Sequence, residues 1–158
     1  MMTNMKRRTL LKGSFAGATM AIAAGAGLLK PSRVLAAWPE KAFKAEKVDG
    51  FLQNIYGNTS LEASDDIQIQ VPEIAENGAV VPVTVTTGMA NVQSIGIAVV
   101  NNTNPLAAVF HMSDNTDGYV STRLKMAGTS DVLATVKVGD ETFFARKEVK
   151  VTIGGCGG

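Results

Sequence analysis

The feature that most constrains the fold is an alternation of apolar and polar residues that begins after Asp65 and recurs as far as Ile153. In a β-strand successive side chains point to opposite faces, so such a run predicts a strand with one buried face. Glycine-, proline- and asparagine-containing turn signals separate the runs. The runs cover residues 67–71, 81–86, 95–99, 106–112, 119–126, 132–138 and 142–153. This pattern predicts an all-β fold, an immunoglobulin-like antiparallel sandwich of about seven strands.

A helical pattern precedes the strands, between Trp38 and Tyr56. Its apolar residues recur at i, i+3, i+4 and i+7, which predicts one buried stripe, formed by Val48, Phe51, Leu52 and Ile55. Gly57-Asn58 is a suitable stop, and Gly50 marks a potential break. We expect an N-terminal helix packed across a sheet edge; the alternative is a helix that binds a partner.

The first 36 residues are typical of an export signal. Arg7 and Arg8 form a basic pair, a weakly hydrophobic Ala/Gly run extends from Gly13 to Leu29, and Val34-Leu35-Ala36 matches a small-residue cleavage site. This favours export of the folded protein by the twin-arginine route and cleavage after Ala36. The expected location is the periplasm, without stable membrane insertion, because the Ala/Gly run supplies little hydrophobic transfer energy.

The charge of the predicted mature part excludes one class of partner. Nine of the fifteen Lys and Arg residues and all fourteen acidic residues lie beyond position 36, so this part has a net charge of about −5. Recognition of nucleic acid begins with neutralisation of phosphates by a basic surface. We therefore expect no nucleic-acid partner.

The residue inventory argues against an enzyme or a metalloprotein. The chain has one histidine, His111, and one cysteine, Cys156, too few for a blue-copper or structural zinc site. Ser113 and Asp114 follow His111 directly, but adjacency in sequence is not triad geometry. The pair Asp65-Asp66 has no partner that indicates acid–base work. No catalytic residue, metal or cofactor is predicted.

The segment after the last predicted strand is the most distinctive part of the chain. Residues 154–158 are glycines on either side of Cys156: Gly154, Gly155, Gly157 and Gly158. Glycine has no Cβ and samples both signs of φ, so this segment predicts a flexible, slender arm that carries a thiol. An exported protein normally pairs its cysteines, and an unpaired one indicates a reactive thiol or an intermolecular bond. The plainer alternative is a frayed terminus with an incidental cysteine.

The Gly-Gly-Cys-Gly-Gly segment around Cys156 resembles the carrier tail of the SoxY family, the sulfur-carrier subunits of the Sox thiosulfate-oxidising system. Weaker likeness lies in three strand segments: residues 74–83 resemble the family's early hairpin, 121–125 its central strand and 149–153 its last strand. The resemblance implies that Cys156 holds oxidation intermediates covalently and that the protein is a carrier subunit, not an enzyme.

The same resemblance implies a set of partners. A haem enzyme of the SoxAX type would join thiosulfate oxidatively to Cys156, and a hydrolase of the SoxB type would release sulfate. Where it exists, a sulfane dehydrogenase of the SoxCD type would oxidise the remaining sulfur. A SoxZ-like subunit would form a heterodimer with this chain, and a twin-arginine signal fits such a pair because the folded heterodimer can be exported on one signal.

Two other functions remain open from the residues alone. Gly157-Gly158 resembles the end of ubiquitin-like sulfur carriers, but those are loaded with ATP and have a β-grasp fold, which the export signal and the strand pattern argue against. The second alternative is an exported structural or adhesion β-sandwich with a free thiol.

Overall fold

Two facing sheets and two short helices make up the part of the chain described by the computed structural model, residues 38–154. The helices and strands follow one another along the chain without long interruptions. The helices are α1 (Glu40–Phe43) and α2 (Val48–Tyr56), and the strands are β1 (Glu62–Ala63), β2 (Ile67–Gln70), β3 (Ile74–Ala75), β4 (Val81–Thr87), β5 (Val92–Val99), β6 (Leu106–His111), β7 (Tyr119–Leu124), β8 (Ser130–Val138) and β9 (Glu141–Val151).

The larger sheet has the order β1-β9-β8-β5-β6, with β3 also paired to β9, and the smaller sheet has the order β2-β4-β7. All pairings among the seven longer strands are antiparallel, and these strands fall on the seven predicted runs. The predicted all-β, immunoglobulin-like sandwich is confirmed.

Two strands of two residues each were not predicted. β1 and β3 both run parallel to β9, with Glu62 opposite Phe143 and Ile74 opposite Lys150. Two residues are too few to show an alternation, so sequence patterning cannot detect such strands. The hairpin expected over residues 74–83 is wrong, because β4 pairs with β2 while β3 pairs with β9.

Side chains from both sheets form the main core, and the alternation explains which ones. In β4, Val81, Val83 and Val85 are essentially unexposed, while Pro82 between them is exposed. Burial of each of these three valines contributes about 1.5 to 3 kcal/mol before entropy losses are counted.

Pro82 lies at the start of β4, before the four residues that pair with β2. Its missing N–H therefore removes no hydrogen bond on that side of the strand.

Strands β5 and β8 are buried on both faces. Ile95, Ile97 and Val99 face the smaller sheet. On the opposite face, Ala98 and Leu133 pack beneath the helices in a second cluster with Phe51 and Leu52. The helices therefore cover the outer face of the larger sheet. The expectation that the N-terminal helix packs across a sheet edge is wrong.

The helical segment is divided, but at a different place from the one that Gly50 suggested. The break lies between α1 and α2, at residues 44–47, and Gly50 lies inside α2. Gly57 ends α2 as predicted: it has a φ of 76°, and its N–H donates to the carbonyl of Gln53 at 3.1 Å. Within residues 38–154, no helix is both long enough and apolar enough to cross a membrane.

Candidate functional site

The thiol-bearing segment is the strongest candidate site, and the structure describes it up to its first glycine. Cys156, Gly155, Gly157 and Gly158 lie outside the described residues, as do Arg7 and Arg8 of the predicted export signal. Gly154 and the strand that leads to it are described. We call residues 152–154 and the loops that contact them the arm root.

Strand β9 holds the arm root to the sandwich. It pairs with β8 over nine residues, from Val138 opposite Glu141 to Ser130 opposite Val149. Val149 is completely buried in the main core. The last predicted strand is therefore anchored to the sandwich to the end of β9.

Beyond β9, three hydrogen bonds tie the arm root to the loop that contains β3. The Thr152 N–H donates to the Ala75 carbonyl at 3.1 Å, and the Thr152 hydroxyl donates to the Glu76 carbonyl at 3.0 Å. The Gly78 N–H donates to the Ile153 carbonyl at 2.8 Å. These hydrogen bonds hold the chain in place up to Ile153.

Gly154 is positioned by a close approach to a neighbouring loop. A Cβ at this position would collide with the carbonyl oxygen of Ala127, in the turn between β7 and β8. Only glycine fits here without a shift of the backbone. The first glycine of the predicted arm thus has a packing role, and Cys156 follows only two residues later.

Three large apolar side chains are exposed at this end of the sandwich. They are Ile153 at 69% exposure, Ile74 at 60% and Val80 at 55%. Among residues 38–154, the other large apolar side chains exposed to this degree are Trp38 and Tyr119. Sequence reasoning missed this feature; the available signal was Val80, an apolar residue directly before the inward-facing Val81.

A groove opens beside the arm root, between the edge strands β6 and β7. It has a volume of about 500 Å³, and its lining includes Asn102, Arg123 and Lys125. Asn102 joins the groove to the arm root, because its side chain donates to the Lys125 carbonyl at 2.8 Å and accepts from the Ala127 N–H at 3.0 Å. The groove is thus next to the turn that contacts Gly154.

The other polar residues considered from the sequence do not come together as a site. His111 is the exposed last residue of β6, within the predicted strand at residues 106–112. The Ser113 hydroxyl lies 2.7 Å from that of Thr116 within a turn, and Asp65 and Asp66 are exposed before β2. Within residues 38–154, no three His, Cys, Asp or Glu side chains are grouped as a metal site would require.

Comparisons with known proteins point to one family. The family model described as sulfur oxidation protein SoxY matches residues 52–156, a range that includes Cys156. A solved structure of the sulfur carrier protein SoxY from Chlorobium limicola f thiosulfatophilum is 40% identical to this chain, with a TM-score of 0.63. The alignment covers 73% of this chain and 100% of the Chlorobium chain.

Two further comparisons add nothing to this assignment. A second solved structure, an engineered protein, aligns with a TM-score of 0.39 at 16% identity, over 55% of this chain and 20% of the other. That likeness is too weak to support an argument. The comparison with curated proteins found no match.

Proposed function

The chain belongs to the SoxY family of sulfur oxidation proteins, and we propose that it is a periplasmic sulfur carrier that holds thiosulfate-oxidation intermediates on Cys156. The observation that supports this most strongly is the architecture of the arm root. Strand β9 is fixed to the core up to Val151, and hydrogen bonds extend this to Ile153, three residues before the thiol. Such a root gives a carrier a rigid body and a short tether.

In the proposed loading step, thiosulfate and Cys156 are joined by a new S–S bond. The bond forms between the Cys156 sulfur and the outer sulfur of thiosulfate; the thiol proton goes to solvent, and two electrons pass to a haem enzyme of the SoxAX type. The carrier provides the nucleophile and the tether, while the enzyme provides the oxidant. No cofactor on this chain is needed for the step.

In the proposed release step, water attacks the terminal sulfone sulfur, the one that carries the oxygen atoms, within a hydrolase of the SoxB type. The bond between the sulfone sulfur and the adjacent sulfane sulfur breaks, and its electron pair remains on the sulfane sulfur. Sulfate leaves, protons go to solvent, and Cys156 retains a persulfide. A sulfane dehydrogenase of the SoxCD type, where present, would accept electrons from this remaining sulfur.

We also propose that a SoxZ-like subunit pairs with this chain. β6 ends the order of the larger sheet and β7 ends that of the smaller one, so each has one side that no strand of residues 38–154 covers. Exposed strand edges are usually covered or paired, because their free N–H and C=O groups invite another strand. A second small β-domain is a suitable partner for such an edge.

Replacement of the cysteine tests the proposed function. Cys156→Ser should abolish loading with thiosulfate by the SoxAX-type enzyme, as measured by the intact mass of the carrier. The fold and the heterodimer should remain unchanged, as measured by circular dichroism and light scattering. As a matched control, Ser113→Cys in the Cys156→Ser background places a thiol on an exposed loop beyond His111. That thiol should react with a small alkylating reagent but should not be loaded. Loading of the Cys156→Ser protein would contradict the proposal.

A further inference from the structure

The three exposed apolar side chains at the arm root form a group that we call the collar: Ile74, Val80 and Ile153. Hydrogen bonds place all three at the same end of the sandwich. Ile74 precedes Ala75, whose carbonyl accepts a hydrogen bond from the Thr152 N–H. The Ile153 carbonyl accepts one from the Gly78 N–H at 2.8 Å. Val80 follows Gly78 by two residues, which is at most about 7 Å along an extended chain. The collar therefore lies close to Ile153 and Gly154, where the described part of the chain ends.

The short distance from the collar to the thiol restricts how any enzyme can reach Cys156. Cys156 is three residues beyond Ile153, a reach of about 10 Å for an extended chain. An α-helix with its side chains is about 10–12 Å across. An enzyme that encloses the thiol within walls one helix thick therefore brings its outer surface against the collar. A longer tether would allow catalysis at a distance from the body, but this one does not.

We infer that the collar is the contact surface for the enzymes that act on Cys156, and that those enzymes have an apolar rim around the channel that admits the arm. This inference rests on the proposed carrier function. It adds the surface through which the carrier is recognised and the chemistry of its partner's rim.

The position of the collar favours a transient enzyme partner over a permanent one. A second copy of the chain or a stable subunit seated on Ile74, Val80 and Ile153 would cover the root of the arm and restrict the thiol. Contacts of short-lived complexes bury little surface, below about 1,200 Å² in total, and a few side chains carry most of the binding energy. Three β-branched apolar residues around the arm suit such a small contact.

The test compares collar variants with a variant of similar exposure elsewhere. Val80→Thr and Ile153→Thr keep a β-branched side chain and replace apolar surface with a hydroxyl. Trp38→Thr is the control, because Trp38 is exposed to 66%, close to the 69% of Ile153, but precedes α1 and belongs to neither β6 nor β7. Each full-length carrier is loaded by the SoxAX-type enzyme with thiosulfate, and kcat/KM for the carrier is measured.

Single collar variants should lower kcat/KM by about fivefold, and the double variant Val80→Thr/Ile153→Thr by more than about tenfold, as for central residues of small interfaces. Trp38→Thr should stay within about twofold. Alkylation of Cys156 by a small reagent should proceed equally in all variants, which shows that the thiol itself is unchanged.

Two results would overturn the inference while the proposed function stands. The first is loading of the double variant as fast as the wild-type chain. The second is loss of heterodimer formation with a SoxZ-like subunit in the collar variants, because the collar would then be a subunit interface. Failure of the wild-type chain to load at all would instead overturn the proposed function, and the inference with it.

Discussion

At the scale of single residues, Gly154 defines where the body of the protein ends. Its backbone approaches the Ala127 carbonyl so closely that no Cβ can be accommodated, while the preceding Ile153 accepts a hydrogen bond from Gly78. The two contacts involve consecutive residues, so a shift of Gly154 away from Ala127 would also displace the Ile153 carbonyl. The glycine at this position thus allows residues 153–154 to lie close to the turn at Ala127.

This close approach predicts a local effect of Gly154→Ala. The added methyl group should push residues 153–154 away from Ala127 and weaken the 2.8 Å hydrogen bond from Gly78 to Ile153. Loss of one such hydrogen bond costs about 0.5 to 1.5 kcal/mol of stabilising free energy. The protection of the Gly78 amide against hydrogen exchange should therefore fall by about two- to tenfold. Native-state hydrogen exchange measures this directly.

Gly128→Ala provides the control for Gly154→Ala, because a Cβ at Gly128 meets no atom within 4 Å. Protection of the Gly78 amide should be unchanged in that variant. Equal protection of Gly78 in the Gly154→Ala variant and the wild-type chain would show that the contact with Ala127 does not position the arm root.

At the scale of secondary-structure elements, α2 is attached to the larger sheet through a buried hydroxyl. The Tyr56 hydroxyl lies 2.7 Å from the Thr135 hydroxyl of β8, and both lie over Gly96 of β5, where a Cβ would collide with them. Gly96 thus leaves room for the helix to reach the sheet. Burial raises the pKa of Tyr56 above its usual value, and hydrogen bonds from Thr135 and Ser94 partly offset this rise.

The attachment of α2 predicts a pH-dependent effect of Tyr56→Phe. Near neutral pH the variant should lose about 1 kcal/mol of unfolding free energy, with the hydrogen bond to Thr135. Because the pKa of Tyr56 is raised in the folded state, the unfolded chain loses this proton first as the pH rises above about 10. The contribution of Tyr56 to stability is therefore complete below that pH and falls above it.

Denaturant unfolding of both proteins at pH 8 and at about pH 11 tests this, because tyrosine titrates near pH 10. The wild-type advantage over Tyr56→Phe should shrink at the higher pH. An advantage that is the same at both values would mean that the hydroxyl is not held protonated by its burial.

The elements also show what the sequence could and could not predict. Long alternating runs such as residues 81–86 identified their strands and the buried faces, because each run has several residues on one face. The covering of the outer face of β5 was not predicted. Gly96 and Ala98 are small because α2 packs over them, and α2 is far from them in sequence. The collar was missed because its residues are far apart in sequence, and the pairing of β3 with β9 and the hydrogen bond from Gly78 to Ile153 bring them together.

At the scale of the whole molecule, the features that serve a carrier are collected at one end. The arm root, the collar and the groove between β6 and β7 all meet near the turn at Ala127. The edges of β6 and β7 that no strand of residues 38–154 covers lie along the side of the sandwich. In the proposed function a SoxZ-like subunit binds the edge of β6 or β7, while the enzymes bind at the end that carries the arm root and the collar.

The proposed location of the molecule predicts the effect of a change in the signal. Replacement of both Arg7 and Arg8 by Lys should leave uncleaved precursor in the cytoplasm, because the paired arginines distinguish a twin-arginine signal from a general one. Arg33→Lys, an equally conservative change outside the pair, should be exported normally. Cell fractionation and immunoblotting give the readout, and normal processing of the double variant would contradict twin-arginine export.

The central claim is that Cys156 carries sulfur, and the mass of the native protein tests it most directly. The protein is purified without reductant from cells that are oxidising thiosulfate, and its intact mass is measured before and after treatment with dithiothreitol. We predict species with added sulfur or a thiosulfonate group, located on Cys156 by fragmentation and removed by the reductant. An unmodified thiol in all of the purified protein would contradict the account.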